Sequence, residues 1–275
     1  MKKIIIPTDF SPAALNATHY AMDMAVAINA SVHLIHIYQL PMSVTDAPLV
    51  LISVDELKEN AEKKLLKLKQ DLEHVALGKI EITTESHLGD LTDELEDICN
   101  KIQPFAVVMG TRGHSAVERA LFGSNTISVI KHLTWPVICV PTGKEYGSGI
   151  KQIGLACDFR EVLETTPVSM IKTFVKEVKA ELHVLNVDPD NKHEKAETPQ
   201  QVLLLQTALE DMKPKYHFIQ NKDVEDGINE FAETNNLDMV IAIPKKHKLL
   251  ANLFKKSSTR QLVFESHVPV MCIHE

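Results

Sequence analysis

Met109-Gly110-Thr111-Arg112-Gly113-His114-Ser115, followed closely by Leu121-Phe122-Gly123-Ser124-Asn125-Thr126, is where the chain declares its architecture. The apolar run Phe105-Ala106-Val107-Val108-Met109 before it reads as a buried parallel strand, so Gly110 falls where a strand hands its carboxyl end to a loop. Glycines at 110 and 113 permit positive φ and close backbone approach, and Gly123-Ser124 opens a second helical segment. Free N–H groups and the positive dipole end of such a helix favour an anion, so the stretch has the makings of a phosphate cradle. It is neither GxxxxGK[ST] nor GxGxxG.

Outward from that stretch, strands and helices alternate, which predicts an α/β fold with a parallel sheet. The first strand is Ile4-Ile5-Ile6, and Ser11 with Pro12 reads as an N-cap and first helical position before a helix to Ile28. Val32 to Ile37 forms the second strand. A polar loop, Gln39 to Pro48, then leads to a long amphipathic helix from about Val54 to Val75. A short third strand is expected at Ile80-Glu81-Ile82-Thr83, and Gly89-Asp90 precedes a helix through Ile102. Ser124 to His132 is the last helix of this half, and Val137 to Val140 its fifth strand.

After a glycine-containing linker, Thr142 to Gly149, the pattern restarts. Ile153 to Phe159 echoes Ile4 to Phe10, His183 to Val187 echoes His33 to Ile37, and Val268 to Ile273 echoes the fifth strand. The chain is a tandem duplication, with units at 1–143 and 144–275. The second copy keeps the scaffold and loses the glycines: Pro244-Lys245-Lys246-His247 replaces Gly110 to Gly113, and Lys255-Lys256-Ser257 replaces Gly123-Ser124. Lysines between 245 and 256 either rebuild an anion site or form a solvated face.

The spacing Gly-x2-Gly-x9-Gly-Ser resembles the ATP-binding signature of the universal stress protein family. Two further stretches are similar to that family: Lys3 to Ser11, with its Pro7-Thr8-Asp9 turn, and Trp135-Pro136-Val137-Ile138-Cys139-Val140-Pro141. The resemblance implies two tandem domains, each a five-stranded parallel open sheet in the order 3-2-1-4-5 flanked by helices. Strands 1 and 4 are then neighbours, and their carboxyl ends mark the topological switch point where such sheets bind ligands. It implies one ATP per chain, in the first half, contacted by Pro7, Thr8, Asp9, Ile37, Met109, Gly110, Gly113, His114, Gly123, Ser124 and Asn125, with Mg2+ accompanying the phosphates. Asp9 is either a ligand contact or a turn carboxylate, and Arg112 and His114 either neutralise phosphate or are solvated. Asp158, in the copy without glycines, is expected to be structural.

The resemblance further implies pairing through the last strands, so that Val137 to Val140 and Val268 to Ile273 form a pseudo-dimer within one chain, or whole chains form a homodimer. With a net charge of −8 and no basic half, nucleic acid is not an expected partner. No apolar run approaches the roughly 20 residues needed to span a bilayer, so a soluble, cytoplasmic protein is the expectation. Cys99, Cys139, Cys157 and Cys272 lack metal spacing, and the 13 histidines form no HxxxH group. His33, His36 and His183 are expected to pack or bond locally.

No positioned nucleophile and base appear, so catalysis beyond slow ATP hydrolysis is not expected. The functional expectation is an ATP-binding stress-response regulator acting through an unidentified protein partner. Its rivals are a nucleotide-free, chaperone-like scaffold and a binder of another small ligand between the Gln39 to Pro48 loop and the long helix.

Overall fold

The computed structural model describes residues 2–40, 53–111, 124–188, 198–244 and 258–275. In the first half, β1 (Lys3–Pro7), α1 (Pro12–Ile28), β2 (Ser31–Tyr38), α2 (Val54–Ala76), β3 (Ile82–Leu88), α3 (Leu91–Ile102), β4 (Ala106–Gly110), α4 (Ser124–His132) and β5 (Val137–Val140) follow one another. The second half repeats this with β6 (Gln152–Ala156), α5 (Val162–Thr165), α6 (Val168–Val178), β7 (Glu181–Val187), α7 (Thr198–Ala208), β8 (Lys215–Ile219), α8 (Val224–Thr234), β9 (Met239–Ala242), α9 (Ser258–Glu265) and β10 (Val270–Cys272).

Local chemistry sets several of these boundaries. Ser11 caps α1 by accepting from Ala14 N, with Pro12 at the first helical position. α2 starts with a reciprocal pair: Ser53 Oγ accepts from Glu56 N and Glu56 Oε2 accepts from Ser53 N. Asp90 caps α3 through Thr92 N.

The described strands form one ten-stranded sheet, β3-β2-β1-β4-β5-β10-β9-β6-β7-β8. Each half has the order 3-2-1-4-5 and is parallel throughout, and the two halves meet in an antiparallel β5–β10 pair with Met271 opposite Ile138. The intrachain pairing expected of the last strands is therefore present, and it covers two edges that would otherwise lie open. Alternate strand residues feed two apolar layers. Ile4, Ile6, Leu34 and Met271 pack with α1, α2 and α6 on one face, and Ile5, Ile35, Cys139 and Cys272 with α3, α4 and α9 on the other. No described helix is long and apolar enough to cross a membrane.

One strand differs from expectation. β3 runs Ile82–Leu88 instead of Ile80 to Thr83, because its polar side chains are held by tertiary partners. His33 on β2 bonds Thr83 Oγ1 at 2.7 Å and Glu85 Oε2 at 3.0 Å, while His87 lies 2.9 Å from Glu85 and 3.0 Å from Glu94. At the matching place in the second half, His183 Nδ1 meets His217 Nε2 at 3.0 Å.

These histidines carry a pH dependence. Burial pushes the His33 and His183 imidazoles below their usual range, with the neighbouring His217 adding to the effect on His183; burial, then Lys215, lowers His217. The folded chain thus stays neutral at these rings where the unfolded chain has begun to bind protons, from about pH 6.5 downward. Stability is present above that pH and is lost as pH falls through it towards the folded values. Thermal midpoints should drop between pH 7.5 and pH 5.5, and His217→Gln should flatten the profile; a midpoint insensitive to pH across this range contradicts the assignment.

Candidate functional site

β1 and β4 are adjacent, with Ile4 opposite Ala106 and Ile5 opposite Val107, so the turn after β1 and the turn after β4 lie side by side at the switch point. A cavity of about 450 Å³ opens there. Its floor is the carboxyl ends of three strands: Pro7 and Thr8 after β1, Ile37 and Gln39 from β2, and Met109 and Gly110 of β4. Its walls are the starts of three helices: Ser11, Ala13 and Ala14 at α1, Gly89 and Leu91 at α3, and Asn125 and Thr126 at α4. Asp9 completes the lining. Three positive helix ends facing one space form a field suited to an anion. Ile37, Leu91 and Met109 add apolar surface for a flat group.

Hydrogen bonds fix the turn that carries Asp9. Thr8 N donates to Ile35 O at 2.8 Å, and His36 Nδ1 donates to Thr8 O at 2.7 Å. Phe10 adopts φ 63° with its N–H on Thr8 Oγ1, and Asp9 Oδ1 accepts from Ser11 N at 2.9 Å. The second half builds the same turn from other residues. Cys157 O accepts from Asn186 Nδ2, Phe159 has φ 51°, and Asp158 Oδ1 accepts from Arg160 N. Asp158 therefore has the structural role expected of it. Asp9 has that role too, while also lining the cavity.

Gly110 needs a different explanation from the one its spacing implies. Its φ is not positive; instead a Cβ there would lie 2.7 Å from the carbonyl carbon of Ala13 and closer still to Ala13 O. Glycine is required because the first turn of α1 approaches the end of β4 at backbone distance. The next residue, Thr111, is tied down at both N and Oγ1 by Val140 O.

Of the residues expected to contact a ligand, Pro7, Thr8, Asp9, Ile37, Met109, Gly110 and Asn125 line this one cavity. Ser124 begins α4, and Gly113, His114 and Gly123 lie outside the described residues, as do Arg112 and the lysines from 245 to 256. The structure adds Ser11, Ala13, Ala14, Gln39, Gly89, Leu91 and Thr126. The Ser11-Pro12 cap and the Gly89-Asp90 helix start were visible signals for the two walls at α1 and α3; Gln39 had none. Among the described residues, no group of three or more His, Cys, Asp or Glu is placed to hold a metal ion.

A model of the universal stress protein family matches residues 1–141. A universal stress protein of Methanocaldococcus jannaschii is 33% identical over 147 residues, which cover 52% of this chain and 84% of that relative. Universal stress protein G of Escherichia coli O157:H7 is 28% identical over 148 residues, covering 50% of this chain and 98% of the relative. A crystal structure of a universal stress protein from Archaeoglobus fulgidus superposes with a TM-score of 0.75 at 21% identity, covering 99% of this chain and 98% of that one, so the likeness of fold extends through both halves.

Proposed function

The chain belongs to the universal stress protein family, and on that premise we propose that its first half binds one ATP as a regulatory ligand whose occupancy sets the affinity for a protein partner. The observation that supports this most is the convergence of the α1, α3 and α4 N-termini on a cavity that also holds Asp9 and Gln39. The helix ends suit phosphates, and a carboxylate with an amide suits the hydroxyl and amine donors of a nucleoside. A volume of about 450 Å³ lies within the range of small-molecule sites. Mg2+ would be carried on the phosphates, which such ions usually ligate alongside water.

ATP is read as a ligand and not as a substrate. Asp9 is the one titratable group among the described lining residues, and its Oδ1 is already engaged by the Ser11 N–H. A ligand that binds only the folded state stabilises it by about 2.7 kcal/mol at a hundredfold excess over Kd, enough to favour one conformation presented to a partner.

The test is calorimetric titration of the nucleotide-stripped protein with Mg-ATP. One site per chain is expected, weakened about ten-fold or more in Asp9→Ala and lost in a folded Gly113→Val, Gly123→Val double variant. No heat and no thermal stabilisation by ATP would favour a nucleotide-free scaffold. Two sites per chain would mean that the lysine-rich copy also binds.

A further inference from the structure

A helix leaves its last four carbonyls without intrahelical partners, and in α4 these fall at residues 129–132. Within the first half, Val129 O is taken by Leu133 N at 2.9 Å, and Ser128 O one residue earlier by His132 Nδ1 at 2.8 Å. Ile130 O is instead bonded by His274 Nε2, which comes from the second half, just past β10. A carbonyl only accepts, so Nε2 carries the proton, and Nδ1 of the same ring is buried without a partner among the described residues. His274 is 7% exposed. It is therefore committed to this one bond across the junction of the halves.

The contact runs one way. The pseudo-twofold relating the halves passes through the Met271–Ile138 pair, which places His274 and Pro141 at equivalent positions, three residues on in each strand direction. Pro141 has neither an N–H nor a polar side chain, so the first half cannot return the bond. The β4 floor and the α1 wall of the cavity are tied to residues 141–144, where the first half passes into the linker. Thr142 Oγ1 donates to Thr111 O at 3.1 Å, next to Gly110. Asn16, one turn along α1 from the lining Ala13, donates to Pro141 O and Lys144 O and accepts from Gly143 N.

We propose that His274 is a positioning residue of the nucleotide site, and that the second half, having lost the glycine motif, is kept as the part that completes the site of the first. The proposal rests on the reading of the cavity as an ATP site. Its mechanism is mechanical. α4 is a short rigid rod whose first turn supplies Asn125 and Thr126 to the cavity, and whose last turn is held by His274. Between them, Ser128 Oγ accepts from Thr92 Oγ1 at 2.9 Å, linking α4 to the α3 wall. Releasing Ile130 O frees the rod to shift, and the anion-facing N–H groups lose their aim.

The experiment uses the full chain with His274→Met, which keeps bulk and removes the donor, and His274→Gln, which keeps an N–H at similar reach. Losing a buried hydrogen bond that orients the wall should weaken Mg-ATP binding about five- to ten-fold in the Met variant, and the Gln variant should return to within about two-fold of the unmutated protein. A folded Met variant with unchanged affinity, or a Gln variant as weak as Met, overturns the proposal. Hydrogen–deuterium exchange of residues 124–133 without ligand gives a second readout that does not depend on ATP. Faster exchange in Met but not in Gln supports the positioning role, and equal exchange in all three proteins overturns it. If the unmutated protein binds no ATP, the nucleotide reading fails, while the exchange comparison still decides whether His274 holds α4.

Discussion

Gly110→Ala is expected to destabilise the protein by about 1–3 kcal/mol and to lose most of its affinity for Mg-ATP, although the change adds a single methyl group. The methyl carbon would be driven to 2.7 Å from the backbone carbonyl carbon of Ala13, a contact that no rotamer change can relieve. Either β4 or the first turn of α1 must move, and both line the cavity. Gly147→Ala is the matched control. Gly147 has φ 57° and no atom within 4 Å of the place a methyl would take, so it should show only the strain of a left-handed backbone, roughly 1–2 kcal/mol, with unchanged affinity. Urea unfolding and calorimetry on both variants provide the comparison. A Gly110→Ala protein with native affinity would show that the α1–β4 approach does not shape the site.

Met271→Ala should be the more damaging change to stability. Met271 is fully buried, and it sits between Ile138 of β5 and Ile241 of β9 at the centre of the ten-stranded sheet. Truncating a buried methionine costs about 2–5 kcal/mol through lost transfer energy and the cavity left behind. Because this one side chain lies in the strand that joins the halves, the loss should also uncouple them. Calorimetry is expected to show a lower first transition separated from a second one, against a single cooperative step for the unmutated chain. A single transition at an unchanged midpoint would place the cohesion of the two halves elsewhere, for instance in the Phe105–Phe174 stack, with centroids 5.5 Å apart, and the Lys2–Glu177 ion pair. Leu203→Ala, at a leucine 62% exposed, should change stability by no more than about 0.5 kcal/mol.

The elements legible in the sequence share a property: their evidence is local. Ser11-Pro12 marks the start of α1 because a hydroxyl, a proline ring and the next three amides are all that a cap needs. Ser124 to His132 and Val137 to Val140 could be bounded because an amphipathic or wholly apolar run carries its own period. β3 resisted beyond Thr83 because Glu85 and His87 look like loop residues until His33 and Glu94 stand beside them. Half of the lining was hidden for the same reason. Gln39 carries no signal of its own, the Gly89-Asp90 helix start does not say what it faces, and only the crossovers of the sheet set these residues around one space.

By itself, then, the amino-acid sequence determined the duplicated strand–helix pattern, the helix starts, the apolar strands and the glycine spacing that is present in one copy and absent from the other. Each of these depends on hydrogen bonds or hydrophobic periods spanning a few residues. Tertiary structure alone decided that Gly110 is glycine because of Ala13, and that His274 reaches across the sheet junction to Ile130. These are relations of contact between residues far apart in the chain. Local propensity does not encode them, because the fit of α1 on β4 exists only once the first half has packed, and the His274 bond only once the two halves have closed on each other.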